Sequence, residues 1–339
     1  MKVKRQHRKG SQLAIGFICL MLLLVACSSG GENVQTSSGT PGLSPSTDDQ
    51  PATEPQGEST YPVTITHLKG EYTLEKKPEA IAVLDTKYVD QLIALEELPA
   101  GSVTAAGSDT DFPEYLSDRL GDVKVLGTRD EPNLEALLDL SPDLIVMTDF
   151  QEGVYENVSK IAPTLVFDFD EDWRVTLETM GKIMNKQAEA QAVQKAYDDK
   201  TSKLKEQLTE KLGDDTVALI RPRTEGIRIH TPQHRTGATL YHDLGLNVPA
   251  SITEVNDTAY EISMEVINEI GADHYFLLSD DMFAEAVKEL ESKKIWSSLD
   301  AVKNNQVYDV DTTLWIAYYG PIAMGIITDQ VAEALLGQP

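Results

Sequence analysis

Four arginines, Arg221, Arg223, Arg228 and Arg235, fall within 15 residues of one another, interleaved with His230 and His234. The 339-residue chain carries 55 Asp and Glu against 29 Lys and Arg, a formal charge of −26, so a cationic cluster runs against its composition. The planar fork of arginine matches carboxylates and other bidentate oxygen groups, which points to an anionic ligand. Taken singly, each arginine could instead pair with one of the many surface acids. The two histidines could bind a metal, but Pro232 between them opposes the helical face that would turn both rings toward one ion, and no third ligand is evident. A haem iron with one axial histidine stays open.

Aromatic residues form a second group. Trp315, Tyr318 and Tyr319, followed by Gly320-Pro321, come just after a strand expected over Val307–Val310. Their faces suit large planar or apolar ligand groups, and their polar tips can still donate hydrogen bonds. The same rings would also serve as a core cluster under a final helix expected from about Ala323 to Leu336. Lys87 and Tyr88, just past a strand at Ile81–Leu84, and Arg129 are the matching candidates in the first half of the chain, and each also fits plain surface. No motif for catalysis accompanies them: G-x-G-x-x-G, the P-loop, H-E-x-x-H and G-x-S-x-G are all missing. A triad assembled from distant residues stays open, because triads are defined by geometry. The expectation is a binding protein without catalytic residues or a cofactor of its own, and its acidity argues against nucleic acid as a partner.

These groups need elements to position them. Val217–Ile220 reads as a strand, with Arg221-Pro222-Arg223 leaving its end and Arg228 and His230 in a second short strand or turn. Ligand sites in α/β proteins gather at the carboxyl ends of strands. A weak internal repeat supports two such lobes: Asn133 to Val146 aligns with Ser263 to Phe276, 130 residues later. Each copy opens a short helix with a Glu in its first turn, Glu135 or Glu265, then breaks at Ser-Pro or Gly and feeds a buried strand after an Asp. Between the copies, Gln187–Leu212 contains no Gly or Pro and predicts a helix about 39 Å long. A separate amphipathic helix is expected over Val175–Met184, ended by Asn185. The fold class is therefore α/β, with a first lobe over 61–170, connecting helices over 171–213 and a second lobe over 214–339.

The chain begins with a basic stretch, Lys2, Lys4, Arg5, Arg8 and Lys9, and an apolar run from Leu13 to Ala26 that is too short to span a bilayer. Leu24-Val25-Ala26-Cys27 resembles the lipobox of bacterial lipoproteins, so residues 1–26 read as a signal peptide and Cys27 as the acylated first residue. Removing those 26 residues, which carry five Lys and Arg and no acid, takes the formal charge from −26 to −31. It also removes Cys19, which leaves no cysteine pair for a disulfide or a metal cluster. Residues 27–60, rich in Ser, Gly, Thr, Pro and acids, read as a disordered tether with a span on the order of 30 Å.

From Tyr61 onward the chain resembles the substrate-binding proteins of ABC importers for iron–siderophore complexes, cobalamin and haem. The resemblance is carried by Gly127-x-x-x-x-Pro132-Asn133-Leu134-Glu135, by Ser141-Pro142-Asp143-Leu144-Ile145-Val146, and by the stretch Leu299 to Val307. It implies the class III periplasmic-binding-protein fold, two α/β lobes joined by a single long helix, with a ligand held between the lobes and only modest closure. The binders of ferric hydroxamate and citrate-based siderophores are the most similar members, through an Arg-x4-Arg pair like Arg223 and Arg228 and a tryptophan like Trp315. His230 and the His234-Arg235 pair depart from them. The resemblance also implies that Glu135 and Glu265 dock on an ABC permease. The expected partners are thus a ferric siderophore and the permease subunits, and the protein itself is expected to be a monomer anchored on the extracytoplasmic face of the cell membrane. Haem or cobalamin binding is the alternative, and a surface-tethered enzyme the more distant one.

Overall fold

The computed structural model describes residues 61–224, 226–280 and 283–337, so the signal peptide, Cys27 and the tether lie outside the described residues. Among the described residues no helix is long and apolar enough to cross a membrane. An N-terminal hairpin, β1 (Val63–His67) and β2 (Gly70–Leu74), precedes the first sheet. That sheet contains β3 (Ile81–Val83), β4 (Gly101–Ser102), β5 (Lys124–Val125), β6 (Leu144–Thr148) and β7 (Thr164–Phe167). Its order is β5-β4-β3-β6-β7, and all of its pairings are parallel. Residues β3, β6 and β7 are buried throughout, as strands covered on both faces must be. The hairpin turn closes the edge of β7: Leu68 N–H donates to Val166 O at 2.8 Å, and Val166 N–H donates to His67 Nδ1 at 3.2 Å.

The second sheet contains β8 (Val217–Arg223), β9 (Gly226–His230), β10 (Ala259–Ile262), β11 (His274–Ser279) and β12 (Val307–Asp311), in the order β10-β9-β8-β11-β12. Here β8, β11 and β12 are parallel, whereas β9 and β10 run antiparallel. The two residues between Arg223 and Gly226 can only form a hairpin, since a parallel crossover needs a dozen or more.

The repeat has a shared physical cause. Asn133 caps the helix Leu134–Leu140 by accepting from the amides of Glu135 and Ala136, both at 3.0 Å, and Ser263 accepts from the Glu265 amide at the matching turn. Asp143 accepts from the amides of Glu79 and Ala80 at 2.7 and 3.0 Å, while Asp273 accepts from the Thr216 amide at 2.8 Å. Each aspartate thus clasps the chain entering the neighbouring central strand, β3 or β8, and fixes the relative height of two strands.

The connecting helix spans Gln187–Leu212, as its composition predicts, and the helix before it covers Trp173–Met184. Asn185 turns the chain between them at φ 57°. A closing helix, Pro321–Leu336, packs against the connecting helix and against α1 (Thr86–Ala94) of the first lobe. The C-terminal segment that the sequence assigns to the second lobe therefore lies across the junction.

Strand alternation divides the apolar residues among three clusters. Ile81, Val83, Leu144 and Val146 of the first sheet share one core with Val217, Leu219, Phe276 and Leu278 of the second. Met180, Ile183, Trp315, Ile327 and Val331 from the helical layer complete it. The alternate residues, Ala82 and Ile145 in one lobe and Ala218 and Leu277 in the other, line two separate outer cores.

Candidate functional site

The second-lobe wall follows from strand register. Arg221 on β8 stands directly opposite Arg228 on β9, and Arg228 stands opposite Glu261 on β10. Side chains two apart or directly paired share a face, so Arg221, Arg223, Arg228, His230 and Glu261 lie together. Ile220, Ile227 and Ile229 occupy the opposite face, in the outer core. Burying those isoleucines is what commits the arginines to the other side. Arg221 and Arg223 lie within β8 itself, one strand segment further than the sequence reading placed its end, and this brings their guanidiniums level with Arg228.

The cations in this wall are not all compensated. Arg223 donates to Glu261 Oε1 at 2.6 Å, while Arg228 lies 3.9 Å from the same oxygen. The Nε atoms of Arg221 and Arg228 are buried without a hydrogen-bond partner, as are both ring nitrogens of His230 and Nδ1 of His234. The two imidazoles meet edge to face with centroids 4.3 Å apart. Burial first, and the neighbouring His234, Arg221 and Arg228, hold His230 far below the usual imidazole range. Burial, together with Arg235, Arg228 and Arg221, lowers His234 to about 3. Burial also lowers the Arg221 guanidinium, assisted by repulsion from Arg223 and Arg228. At neutral pH the wall thus offers guanidiniums beside two neutral rings, with both nitrogens of His230 and Nδ1 of His234 lacking a partner.

The first-lobe wall carries Arg129. Its Nε is likewise buried and unpartnered, and its guanidinium lies over the rings of Phe150 and Phe169, at 4.6 and 5.4 Å. Phe150 is about half exposed, with its ring 5.5 Å from Phe169. Neither phenylalanine was singled out from the sequence. The available signal was position, since each follows the carboxyl end of a parallel strand, β6 or β7. A cavity of about 630 Å³ opens beside Arg129, lined also by Thr86, Thr104, Ser108, Ala317 and Tyr318 and by the acids Asp109, Asp130 and Glu131. Its lining comes from the first lobe except for Ala317 and Tyr318.

Several candidates from the sequence take other roles. Trp315 is fully buried, with its ring 4.9 Å from Phe276 and its indole N–H donating to Gln330 Oε1 at 2.6 Å, so it is a core residue of the junction and not a pocket wall. Tyr88 is also fully buried, packed on Phe167. Lys87 spends its ammonium on the carbonyls of Asp168 and Phe169, at 3.0 and 3.1 Å, and burial lowers its pKa. Arg235 spans the lobes. It donates to Phe169 O at 3.0 Å and is sandwiched between the rings of Tyr319, at 3.4 Å, and Phe169, at 4.6 Å. Tyr319 is buried beneath it, and Tyr318, buried to the same degree, contributes to the cavity lining. Glu135 and Glu265 are exposed at the starts of their helical turns; Glu265 is held by the Ser263 hydroxyl and by Lys293 at 3.4 Å. Among the described residues there is no group of three His, Cys, Asp or Glu able to hold a metal ion.

Two α/β lobes that share one apolar core, with Arg129 lining a cavity and a cluster of arginines on the paired strands of the second lobe, form a two-lobed solute-binding protein. The sequence model of the family described as Periplasmic binding protein matches residues 81–314, and the chain belongs to that family. It is 28% identical over 305 residues to the iron-uptake system-binding protein of Bacillus subtilis, covering 88% of this chain and 90% of that protein. It is also 28% identical to the Fe(3+) dicitrate-binding periplasmic protein FecB of Escherichia coli, over 82% of this chain and 92% of that one. Among solved structures, Staphylococcus aureus SirA complexed with staphyloferrin B superposes with a TM-score of 0.72 at 31% identity, over 81% of this chain and 98% of that chain.

The buried histidines set the acid stability of the ligand-free protein. A folded-state pKa below the unfolded value contributes stability that is complete above the unfolded pKa and is lost as pH falls. For His234 that window runs from the ordinary imidazole value of 6.5 down to about 3. Urea denaturation of wild type and His234→Gln across this range should show the wild type losing stability more steeply; parallel curves would place the His234 ring in solvent.

Proposed function

We propose that this protein captures a ferric siderophore of the citrate or hydroxamate type between its lobes and hands it to an ABC permease for iron uptake. The observation that carries the reading is the set of buried, unpartnered nitrogens of Arg129, which lines the cavity, and of Arg221, Arg228, His230 and His234 in the second lobe. Unpaired buried donors cost about 1–3 kcal/mol each, so a chain that keeps several together stabilises a partner that satisfies them. A carboxylate-bearing complex does so best, with guanidinium forks taking carboxylates and the imidazoles taking further oxygens. Phe150 and Tyr318 supply the apolar and aromatic contact that a bulky chelate offers. In this reading the siderophore itself supplies the donors to iron. The reading is supported by similarity to proteins named for iron uptake and ferric dicitrate binding and to a structure complexed with staphyloferrin B. It assigns no catalytic step to any residue.

Anchoring and delivery belong to the same proposal. Acylation of Cys27 would hold the protein on the outer face of the membrane, with residues 28–60 as its tether. Glu135 and Glu265 begin equivalent turns in the two lobes, where an acid is already favoured near a helix start. One exposed carboxylate per lobe suits docking on a two-subunit permease, and the exposed Leu138 one turn from Glu135 adds an apolar contact there.

Calorimetric titration with ferric citrate, a ferric hydroxamate and haem tests the capture. Binding of ferric citrate or the hydroxamate is expected, weakened by roughly 1.5–3 kcal/mol in Arg129→Ala, Arg221→Ala or Arg228→Ala, and less in Arg223→Ala, whose charge Glu261 already neutralises. Trp315→Phe should keep the affinity. Equal affinity in all four arginine variants, or a Soret-type complex with haem alone, contradicts the reading. For delivery, the double variant Glu135→Ala/Glu265→Ala should bind the ferric complex normally yet fail to support iron uptake in cells, and normal uptake would remove the docking role.

A further inference from the structure

Asp90 lies on α1, fully buried, where the closing helix meets the first lobe. Its Oδ1 accepts from the Ile322 amide at 2.9 Å, and its Oδ2 accepts from the Ala323 amide at 2.9 Å and from the Tyr115 hydroxyl at 2.9 Å. Those two amides are among the four that a helix start leaves without a partner inside the helix. The carboxylate also meets the positive end of a 16-residue helix. Gly320 is a fixed part of this joint, because any Cβ there would overlap the Asp90 carboxyl group. The Tyr115 ring in turn packs against Tyr318 at 5.3 Å. Tyr318 through Ala323 is thereby fastened to the first lobe by one connected set of contacts. Three residues earlier the same chain is fastened elsewhere: the Trp315 ring sits on Phe276 of the second sheet, and its carbonyl accepts from the Thr236 hydroxyl. The backbone therefore passes from one lobe to the other between Trp315 and Tyr318, at the point where Ala317 and Tyr318 line the cavity.

We propose that Asp90 is a positioning residue for the ligand site: it holds Tyr318, which follows the second-lobe strands in sequence, as part of the first-lobe wall, so that the shape of the cavity is set before any ligand arrives. The proposal rests on the reading of the cavity as the ligand site. Burial pushes the Asp90 carboxyl up to about 6, against the opposing pull of the two amides, Tyr115 and Arg119, so the group is ionised at pH 7.5.

Hydrogen exchange of the ligand-free protein at pH 7.5 tests the clamp without any ligand. Asp90→Asn keeps the volume but loses the charge and one acceptor, and Tyr115→Phe keeps the ring on Tyr318 while losing the hydroxyl. Exchange of the amides from Tyr318 to Met324 is expected to be at least tenfold faster in Asp90→Asn and moderately faster in Tyr115→Phe, with β6 and β11 unchanged in both. Unchanged exchange in that segment, or a uniform rise across both sheets, overturns the proposal. Ferric citrate serves as the binding probe. With wild type binding it, Asp90→Asn should weaken binding at least fivefold and should add nothing further when combined with Tyr318→Ala, because two residues acting through one contact are non-additive. A fully additive loss in the double variant also overturns the positioning role. Absence of wild-type binding counts against the ligand reading alone, and the exchange result still decides the role of Asp90.

Discussion

The apolar core shared by the two sheets is the constraint on which the cleft depends. Val83 and Val146 on one side and Leu219, Phe276 and Leu278 on the other bury their faces against the same helical layer, so separating the lobes would expose that layer to water. Each large side chain taken out of water there contributes on the order of 1.5–3 kcal/mol. Relative motion of the lobes is limited to what this core can tolerate, and core packing responds to shifts of less than one methylene group. Polar groups at the cleft end of the same strands are therefore presented at a nearly fixed separation.

Around that core the fold satisfies its polar groups by short, local means. Asp143 and Asp273 clasp strand starts, Lys87 takes two loop carbonyls, and Arg174 donates to Asp243 at 2.8 Å where the helical layer meets the second lobe. Buried side-chain atoms without a partner also occur singly, at Asp85, Gln91, Trp173 and Thr312, whereas those of Arg221, Arg228, His230 and His234 are gathered in one stretch of the second lobe. The cost of leaving them unpaired is borne by the surrounding packing. Arg235 shows the other use of the same residue type. Held between Tyr319 and Phe169, it pins the lobes together, and its charge is shared with a carbonyl and with Asp170 at 3.9 Å.

Much of this was legible in the sequence. Gln187–Leu212 carries its own helix propensity over 26 residues, and the Pro-Asp-Leu-Ile-Val pattern announces a strand buried on both faces. The arginine cluster stood out because its charge opposes that of the chain. The limits were equally physical. The carboxyl end of β8 was misplaced because Arg-Pro-Arg reads as polar punctuation, whereas cross-strand pairing with β9 holds it in the sheet. Trp315 and Tyr88 looked like pocket residues because aromatic composition alone does not reveal which face of an element meets the core. Phe150, Phe169 and Asp90 escaped notice because their roles exist only once the two lobes are brought together, through contacts such as the one between Asp90 and the amide of Ile322.

The most direct test of the account is the structure of the complex with a ferric citrate-type siderophore. It should show the iron complex between the lobes, with its carboxylate oxygens within hydrogen-bonding distance of Arg129, Arg221 and Arg228, at least one of His230 and His234 donating to it, and Trp315 unmoved in the core. A ligand seated away from those guanidiniums, or one whose contacts leave all of their Nε atoms still unpartnered, would contradict it.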